Sequence, residues 1–227
     1  MARPRGNIDE RIVRAARVLF LRDGVDGASL REIARRARTS IGMIYYYFPT
    51  KDDLFLAVVE QVYAKLLTDL ATALGSAATS EGRIRALYAR IAVASEDELD
   101  VVRLIVREAL VSSDRRTRIL ERFSRGHMPL LLGALAQGVE AGEVAAHPLA
   151  ALMMTTVAVG LVPQMVRRLM GDKEPFASLP QGEELGSSLA DLLFEGLRPR
   201  DRQRPSRTIG AATARSGPKG SPGTCGK

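Results

Sequence analysis

Three features of the 227-residue sequence predict an all-α protein. Apolar side chains recur every three or four residues along most of the chain, the spacing that places them on one face of a helix. Capping residues followed three positions later by an acidic residue precede several of these stripes, as they do at helix N-termini. No segment alternates apolar and polar residues like a half-buried strand, and the apolar fraction of 46% excludes a wholly disordered chain.

Composition excludes several function classes. The single cysteine, Cys225, excludes an internal disulfide framework and a cysteine-rich zinc site, and two histidines are too few for a histidine-rich metal centre. The N-terminus MARPRG leads into a helix with no apolar signal region, and the longest apolar run, Leu149 to Val162, is shorter than a bilayer requires. We therefore predict a cytoplasmic protein without a cofactor, a metal or a membrane partner.

The charges are segregated along the chain. Residues 1–51 carry 11 basic and 5 acidic side chains, residues 52–197 carry 14 and 20, and residues 198–227 carry 8 and 1. Codon bias accounts for the excess of arginine over lysine but not for this segregation. A basic head and tail around an acidic body predict that the head meets a polyanion. Pro, Gly, Ser and Arg dominate the tail, 198–227, which is predicted to be disordered.

The head is predicted to hold three helices, which begin after Asn7, Ser29 and Ser40. The first is expected to stop near Gly24. The second and third are separated by a tight turn at Arg38–Thr39. Helix, tight turn and helix form the helix-turn-helix plan, whose second helix enters the major groove of DNA.

Three consecutive tyrosines lie on the short third helix. Neighbouring side chains of a helix point about 100° apart, so at least one of them must face outward, where its phenol can bond a phosphate. Tyr45 and Tyr46 are interpreted as DNA contacts, whereas Ile44, Tyr47 and Phe48 are assigned to the core of the head. The alternative is that all three tyrosines only seal that core.

The body is predicted to be a larger bundle of helices. Thr50 caps a long helix in which every fourth residue from Leu54 to Leu74 is apolar. The helix predicted over 114–141 is disturbed at Gly126 and Pro129, and the acidic run Glu96–Glu98 is assigned to a solvated loop. The other predicted helices cover residues 81–95, 97–111, 148–170 and 182–197.

The head resembles the TetR family of bacterial transcriptional regulators over about residues 8–58. The resemblance is carried by IVRAARVLF at 12–20, Gly24, SLREIA at 29–34, IGMIYYYF at 41–48 and TKDDL at 50–54. The body matches only in length and helical plan. The resemblance implies a DNA-binding domain at residues 1–50 and a helical ligand-binding and dimerisation domain at 51–197.

The function implied by the resemblance is that of a homodimeric repressor, released from a palindromic operator in double-stranded DNA by a small-molecule effector. The contacts that it implies with DNA are made by Ser29, Arg31, Thr39, Ser40, Ile41, Gly42, Met43, Tyr45, Tyr46 and Lys51. One departure lies in the turn, where the family usually has a Gly followed by an apolar residue. Arg38 adopts the left-handed conformation of such a turn only at a cost.

An effector site is a further hypothesis. The sequence offers adaptable apolar side chains in the body together with two arginines, at i and i+4, that would suit an anionic group. Ordinary core filling and a salt bridge to Glu108 are the alternatives. The residues assigned to the site of this mainly apolar effector are Val102, Arg103, Val106, Arg107, Leu131, Leu135 and Met154.

The resemblance also places a dimer interface on the last two helices, at about 148–170 and 182–197. Ala158 and Gly160 are small enough for close helix approach, and the last helix has an apolar face of Leu185, Leu189, Leu192 and Leu193. An intramolecular core is the alternative use of these residues.

Two other functions stay open at this point: an activator or effector-independent regulator, and an all-helical enzyme or scaffold. Against an enzyme, the sequence contains no Ser/His/Asp, Cys/His or metal-spaced constellation.

Overall fold

The computed structural model describes residues 8–171 and 173–197, and this part of the chain contains ten α-helices, one short 3-10 helix and no β-strand. The all-α prediction is thereby confirmed. The predicted cap at Asn7 and the predicted tail, 198–227, lie outside the described residues. The helices are α1 (Ile8–Gly27), α2 (Leu30–Ala37), α3 (Ile41–Tyr47), α4 (Lys51–Gly75), α5 (Ser80–Ala92), α6 (Glu96–Val111), α7 (Ser113–Ser124), α8 (His127–Glu140), α9 (Leu149–Met170) and α10 (Gly182–Leu197), with the 3-10 helix Phe176–Ser178 before α10.

Side-chain caps begin the helices of the head where the sequence predicts them. The hydroxyls of Ser29, Ser40 and Thr50 each accept a backbone N–H three residues along. Thr50 and Asp53 form a reciprocal capping box, in which the Asp53 carboxylate accepts the Thr50 backbone N–H at 3.0 Å. These bonds fix where α2, α3 and α4 start.

Two predictions for the body are wrong. Residues 114–141 do not form one helix, because the backbone at Gly126 is not helical and its Cα packs so closely on Tyr63 that a Cβ would overlap the phenol oxygen. Pro129 lies in the first turn of α8, where its missing N–H costs nothing. Glu96–Glu98 is the first turn of α6 rather than a loop, with Ser95 and Glu98 forming its capping box.

Helix α4 belongs to two hydrophobic clusters. Its first half packs with α1, α2 and α3 around Phe20, Ile44 and Phe55, and this cluster also contains Leu104 of α6 and Ile119 of α7. Its second half, from Leu66 to Leu74, packs with α5, α8, α9 and α10. One rigid element therefore connects the head with the body.

Helix α9 is unusually exposed for its composition. By length and composition it could cross a membrane, contrary to the expectation from its longest apolar run, although a single such helix is a weak indication. Its small residues divide between two faces. Gly160 lies against the ring of Tyr88, which a Cβ would approach to 2.7 Å, so this glycine serves packing within the chain. Ala158 is exposed.

The outer faces of α9 and α10 carry apolar side chains that the rest of the described chain does not cover. Met154 is 69% exposed and Leu169 is 61% exposed on α9, and Leu192 is 67% exposed on α10. By contrast, Leu185 and Leu193 of α10 are buried within the chain, so the predicted leucine face is used partly for the intramolecular core.

Candidate DNA-binding surface and effector cavity

Helix α3 divides its side chains between the core and the solvent. Ile44 is buried, and Ile41 and Phe48 pack against the same cluster. Tyr45 and Tyr46 are 51% and 77% exposed. Tyr47, assigned to the core from the sequence, is instead 39% exposed and packs edge-on against Tyr46 with 5.2 Å between ring centroids. The tyrosines thus form an exposed aromatic rim.

The turn before α3 has the shape expected of a helix-turn-helix. Arg38 has φ 52° and ψ 52°, the left-handed conformation that is easiest for glycine. In this conformation its backbone N–H donates to the carbonyl of Arg35 at 3.2 Å, and the N–H of Thr39 donates to that of Ala34 at 3.0 Å. These bonds terminate α2, and the side chain of Arg38 is exposed.

The remaining residues assigned to DNA lie around α3. The hydroxyl oxygens of Ser29 and Ser40 accept capping bonds, which leaves their protons free to donate. Lys51 donates one ammonium proton to the carbonyl of Asp26 at 3.0 Å and retains two others. Of the assigned residues, those that are exposed are Ser29, Arg31, Ser40, Gly42, Tyr45 and Tyr46, and those that are half-buried are Thr39, Ile41, Met43 and Lys51.

The body contains an apolar cavity of about 320 Å³. Its wall is formed by the apolar residues at every fourth position of α4, by one face of α6, and by side chains from α5, α7, α8 and α9. This volume lies at the lower end of the range of small-molecule sites in proteins. The residues that line the cavity include Val62, Leu66 and Leu70 of α4, Val102 and Val106 of α6, and Leu131 of α8.

Tyr63 and His127 form a polar corner of this cavity. The Tyr63 phenol oxygen accepts the backbone N–H of His127 at 3.2 Å and lies 2.8 Å from His127 Nδ1. The Tyr63 hydroxyl and His127 Nδ1 therefore share one hydrogen bond in either tautomer of the neutral imidazole, which leaves Nε2 available to a ligand. Burial, with the nearby charge of Arg122, lowers the pKa of His127, which favours the neutral imidazole.

Glu98 also lies on the cavity wall, but its carboxylate is already occupied. It accepts the backbone N–H of Ser95 at 2.8 Å and pairs with Arg90. Burial opposes its ionisation, but the hydrogen bonds from Arg90 and Ser95 outweigh that cost and lower the pKa of Glu98.

The structure separates the residues that the sequence assigned to an effector. Val102, Val106 and Leu131 line the cavity. Arg103 and Arg107 share a different face of α6, where Arg103 is exposed and Arg107 lies against Gly24 of the head, so neither faces the cavity. Leu135 is buried in the second cluster. Met154 is 69% exposed on the outer face of α9.

The polar corner and much of the α4 wall were missed by the sequence analysis. The apolar residue at every fourth position of α4 was the pattern in the sequence that could have indicated the cavity wall. His127 had no signal, because only the break at Gly126 brings it beside Tyr63.

A cluster of charged side chains joins the head to the body. The guanidinium of Arg115 on α7 is buried and pairs with Glu108 of α6, Asp26 of α1 and Asp52 of α4. Glu108 also accepts the backbone N–H of Val25 at 3.1 Å. Asp26 and Asp52 belong to the head end of the molecule, so this cluster holds the α1 and α4 termini against α6 and α7.

The head presents a short exposed helix after a left-handed turn, and it shares the long helix α4 with a body that contains a cavity. This arrangement is that of helix-turn-helix transcriptional regulators with a helical body. Residues 12–58 match the family model for bacterial regulatory proteins of the tetR family. The resemblance of the head to the TetR family is thereby confirmed over residues 12–58.

The chain is similar to known proteins in two ways. It is 38% identical to the HTH-type transcriptional repressor NicS of Pseudomonas putida over 69 residues, which are 27% of this chain and 32% of NicS. In fold it is similar to FadR of Bacillus subtilis, solved with stearoyl-CoA, at a TM-score of 0.68 and 19% identity over 83% of this chain and 99% of that one. It is also similar in fold to AibR, solved with isovaleryl coenzyme A and operator DNA, at a TM-score of 0.66 and 17% identity over 83% of this chain and 98% of AibR.

Proposed function

We propose that this TetR-family regulator is a homodimeric repressor that leaves a palindromic operator when a small, mainly apolar effector enters the body. The observation that carries the proposal is the double role of α4, which packs in the core of the head and lines the cavity. A ligand between α4 and α6 favours whichever tilt of α4 accommodates it. That tilt moves the two recognition helices of a dimer away from the spacing of about 34–36 Å that one DNA turn requires.

The head offers suitable groups for the DNA backbone. Arg31, Arg36 and Arg38 are exposed, and within the described residues none of them forms an ion pair. Tyr45 and Tyr46 lie on α3 with their rings in solvent, where phenols reach phosphates. Ile41 and Met43 carry no hydrogen-bonding group, so base reading by α3 rests on thymine methyls and DNA shape. Residues 1–50 are proposed as the DNA-binding domain, and 51–197 as the regulatory and dimerisation domain.

The effector part of the proposal rests on the cavity, whose only uncommitted polar group among the described lining residues is His127 Nε2. Coenzyme A thioesters bound to the structural neighbours FadR and AibR contain hydrocarbon chains that suit such a wall. The dimer part rests on the exposed apolar faces of α9 and α10, which a cytoplasmic protein would cover with a second copy.

The direct experiment is a gel-shift titration with the DNA upstream of the protein's own gene. We expect a dimer or a pair of dimers on a near-palindromic site, with affinity that falls steeply as salt rises because counterions return to the phosphates. An activator would give the same binding but lower transcription on gene deletion. A salt-independent affinity would contradict the proposed phosphate contacts.

Tyr46→Ala and Lys51→Ala are each expected to weaken operator binding by about 1 kcal/mol or more, similarly for specific and random DNA, because each removes a phosphate contact. Ile41→Ala or Met43→Ala is expected to change sequence preference instead. Binding isotherms on operator and random duplexes measure both effects. Tyr46→Phe is the matched control that removes only the hydroxyl. Normal DNA binding by Tyr46→Ala would contradict a phosphate contact at Tyr46.

Val102→Phe is expected to abolish release by an apolar effector while DNA binding is kept, because the larger ring fills part of the cavity. Decanol serves as a probe: it should raise the Tm of the wild type, as ligands of the folded state do, and not that of the variant. Val111→Phe is the matched control on the same helix, since Val111 is 66% exposed and outside the cavity. Equal decanol binding by both variants would contradict an effector site here.

A further inference from the structure

A second, polar compartment adjoins the apolar cavity. It encloses about 360 Å³ between the start of α6, the end of α9 and the segment around the 3-10 helix. Ala94 and Leu99 line both spaces, so the two spaces are adjacent. One face of α9 runs along both, with Val157 and Leu161 on the apolar cavity and Gln164 on the polar compartment.

Gln164 has an unused hydrogen-bond donor at this place. Its side chain lines the polar compartment although the residue is only 4% exposed. Its Nε2 has no hydrogen-bond partner among the described residues. A buried amide without a partner is costly, and the cost is removed when a ligand supplies an acceptor.

The compartment also has an uncommitted cation. Arg168 pairs with Glu96 at 3.4 Å and with Asp100 at 3.1 Å, so Glu96, the one carboxylate on the described lining, has a cationic partner. Arg167 lines the same space, and within residues 8–171 and 173–197 it has no ion-pair partner. A guanidinium and an amide donor on consecutive turns of α9 form a suitable pair for an anion.

We propose that this compartment binds the anionic head of an amphipathic effector, a phosphate or carboxylate, while the hydrocarbon chain of that effector occupies the apolar cavity. This inference rests on the proposed function, because it assumes that the cavity is the effector site. Arg167 and Gln164 then take the part that the sequence analysis gave to Arg103 and Arg107. The two compartments together select molecules that are apolar at one end and negatively charged at the other.

The test uses three probes with the same chain: decyl phosphate, decanol and decyltrimethylammonium. Calorimetric titration of the full chain is expected to give a Kd for decyl phosphate about tenfold or more below that for decanol, and the weakest binding for the cation. Arg167→Gln and Gln164→Leu should each remove most of the phosphate advantage and leave decanol affinity unchanged. Unchanged decanol affinity also shows that the variant has folded. Arg116→Gln, which removes one exposed charge outside both compartments, is the matched control.

Each alternative outcome overturns a defined part of the inference. Equal affinity of decyl phosphate and decanol for the wild type means that no anion site exists. A phosphate advantage that survives in both variants, or falls equally in Arg116→Gln, means that Arg167 and Gln164 do not form it. Failure of every probe to bind, or decanol binding that Val102→Phe does not reduce, contradicts the effector cavity itself and with it this inference.

Discussion

Arg115→Met is expected to lower the free energy of unfolding by about 3–5 kcal/mol, the usual cost of breaking a buried ion pair from one side. The Arg115 side chain is 6% exposed and that of Glu108 is 3% exposed. Removing the guanidinium leaves the buried Glu108 carboxylate with the Val25 N–H and with Arg107, whose Nε is 4.0 Å from Glu108 Oε1. Asp26 and Asp52 lose the same cation, but they are more exposed and contribute less.

Urea unfolding measures this loss, provided that the slope m stays constant. Arg116→Met on the same helix is the matched control, because Arg116 is exposed and its substitution should change stability by less than about 0.5 kcal/mol. Adding Glu108→Gln to Arg115→Met should restore part of the loss, since the amide removes the buried charge and still accepts the Val25 N–H. A loss below about 1 kcal/mol for Arg115→Met would show that the cluster does not hold the head to the body.

The same cluster explains why Gly24 interrupts α1. The backbone there has φ 77°, and a Cβ would come within 2.7 Å of Arg107 Nη2 and 3.2 Å of Glu108 Oε1. Only glycine allows the chain to turn so closely past α6. The end of α1 is therefore in direct contact with α6.

Local chemistry explains what was predictable. The starts of α2, α3 and α4 depend on a hydroxyl and a backbone N–H three residues apart, so Ser29, Ser40 and Thr50 could be read as caps without knowledge of the fold. Helix periodicity likewise predicted Ile44 in the core. It could not decide which tyrosine faces outward, because that depends on the rotation of α3 against α1, and Tyr47 was misplaced for this reason.

The effector residues required information that no single helix contains. On α6 the pairs Val102/Val106 and Arg103/Arg107 have the same i, i+4 spacing, and only the packing against α4 and α8 shows which pair faces inward. Gln164 is similar: it is a polar residue in a mostly apolar helix, and the space that it shares with Arg167 and the segment around the 3-10 helix is formed by parts of the chain that are distant in sequence. Local periodicity describes one helix at a time and does not predict which helices pack together.

A dimer through α9 and α10 predicts the largest effect on DNA binding. The double variant Met154→Glu, Leu192→Glu places a charge in the exposed apolar face of each helix, where a partner copy would bury it without a counter-charge. We expect this variant to be monomeric. Operator affinity should fall by about 10²–10⁴-fold, because linking two heads raises affinity by that factor without any new contact.

Sedimentation measures the oligomeric state, and gel shifts on a full operator and on one half-site separate dimerisation from contact with DNA. Half-site affinity should equal that of the wild type, since α3 is unchanged. Leu110→Glu, at an 81% exposed position on α6, is the matched control and should remain dimeric with full operator affinity. If the double variant stays dimeric, the interface lies elsewhere. If it is monomeric and binds the full operator as tightly as the wild type, a single short recognition helix suffices for binding. That result would contradict the proposal that dimerisation holds this regulator on DNA.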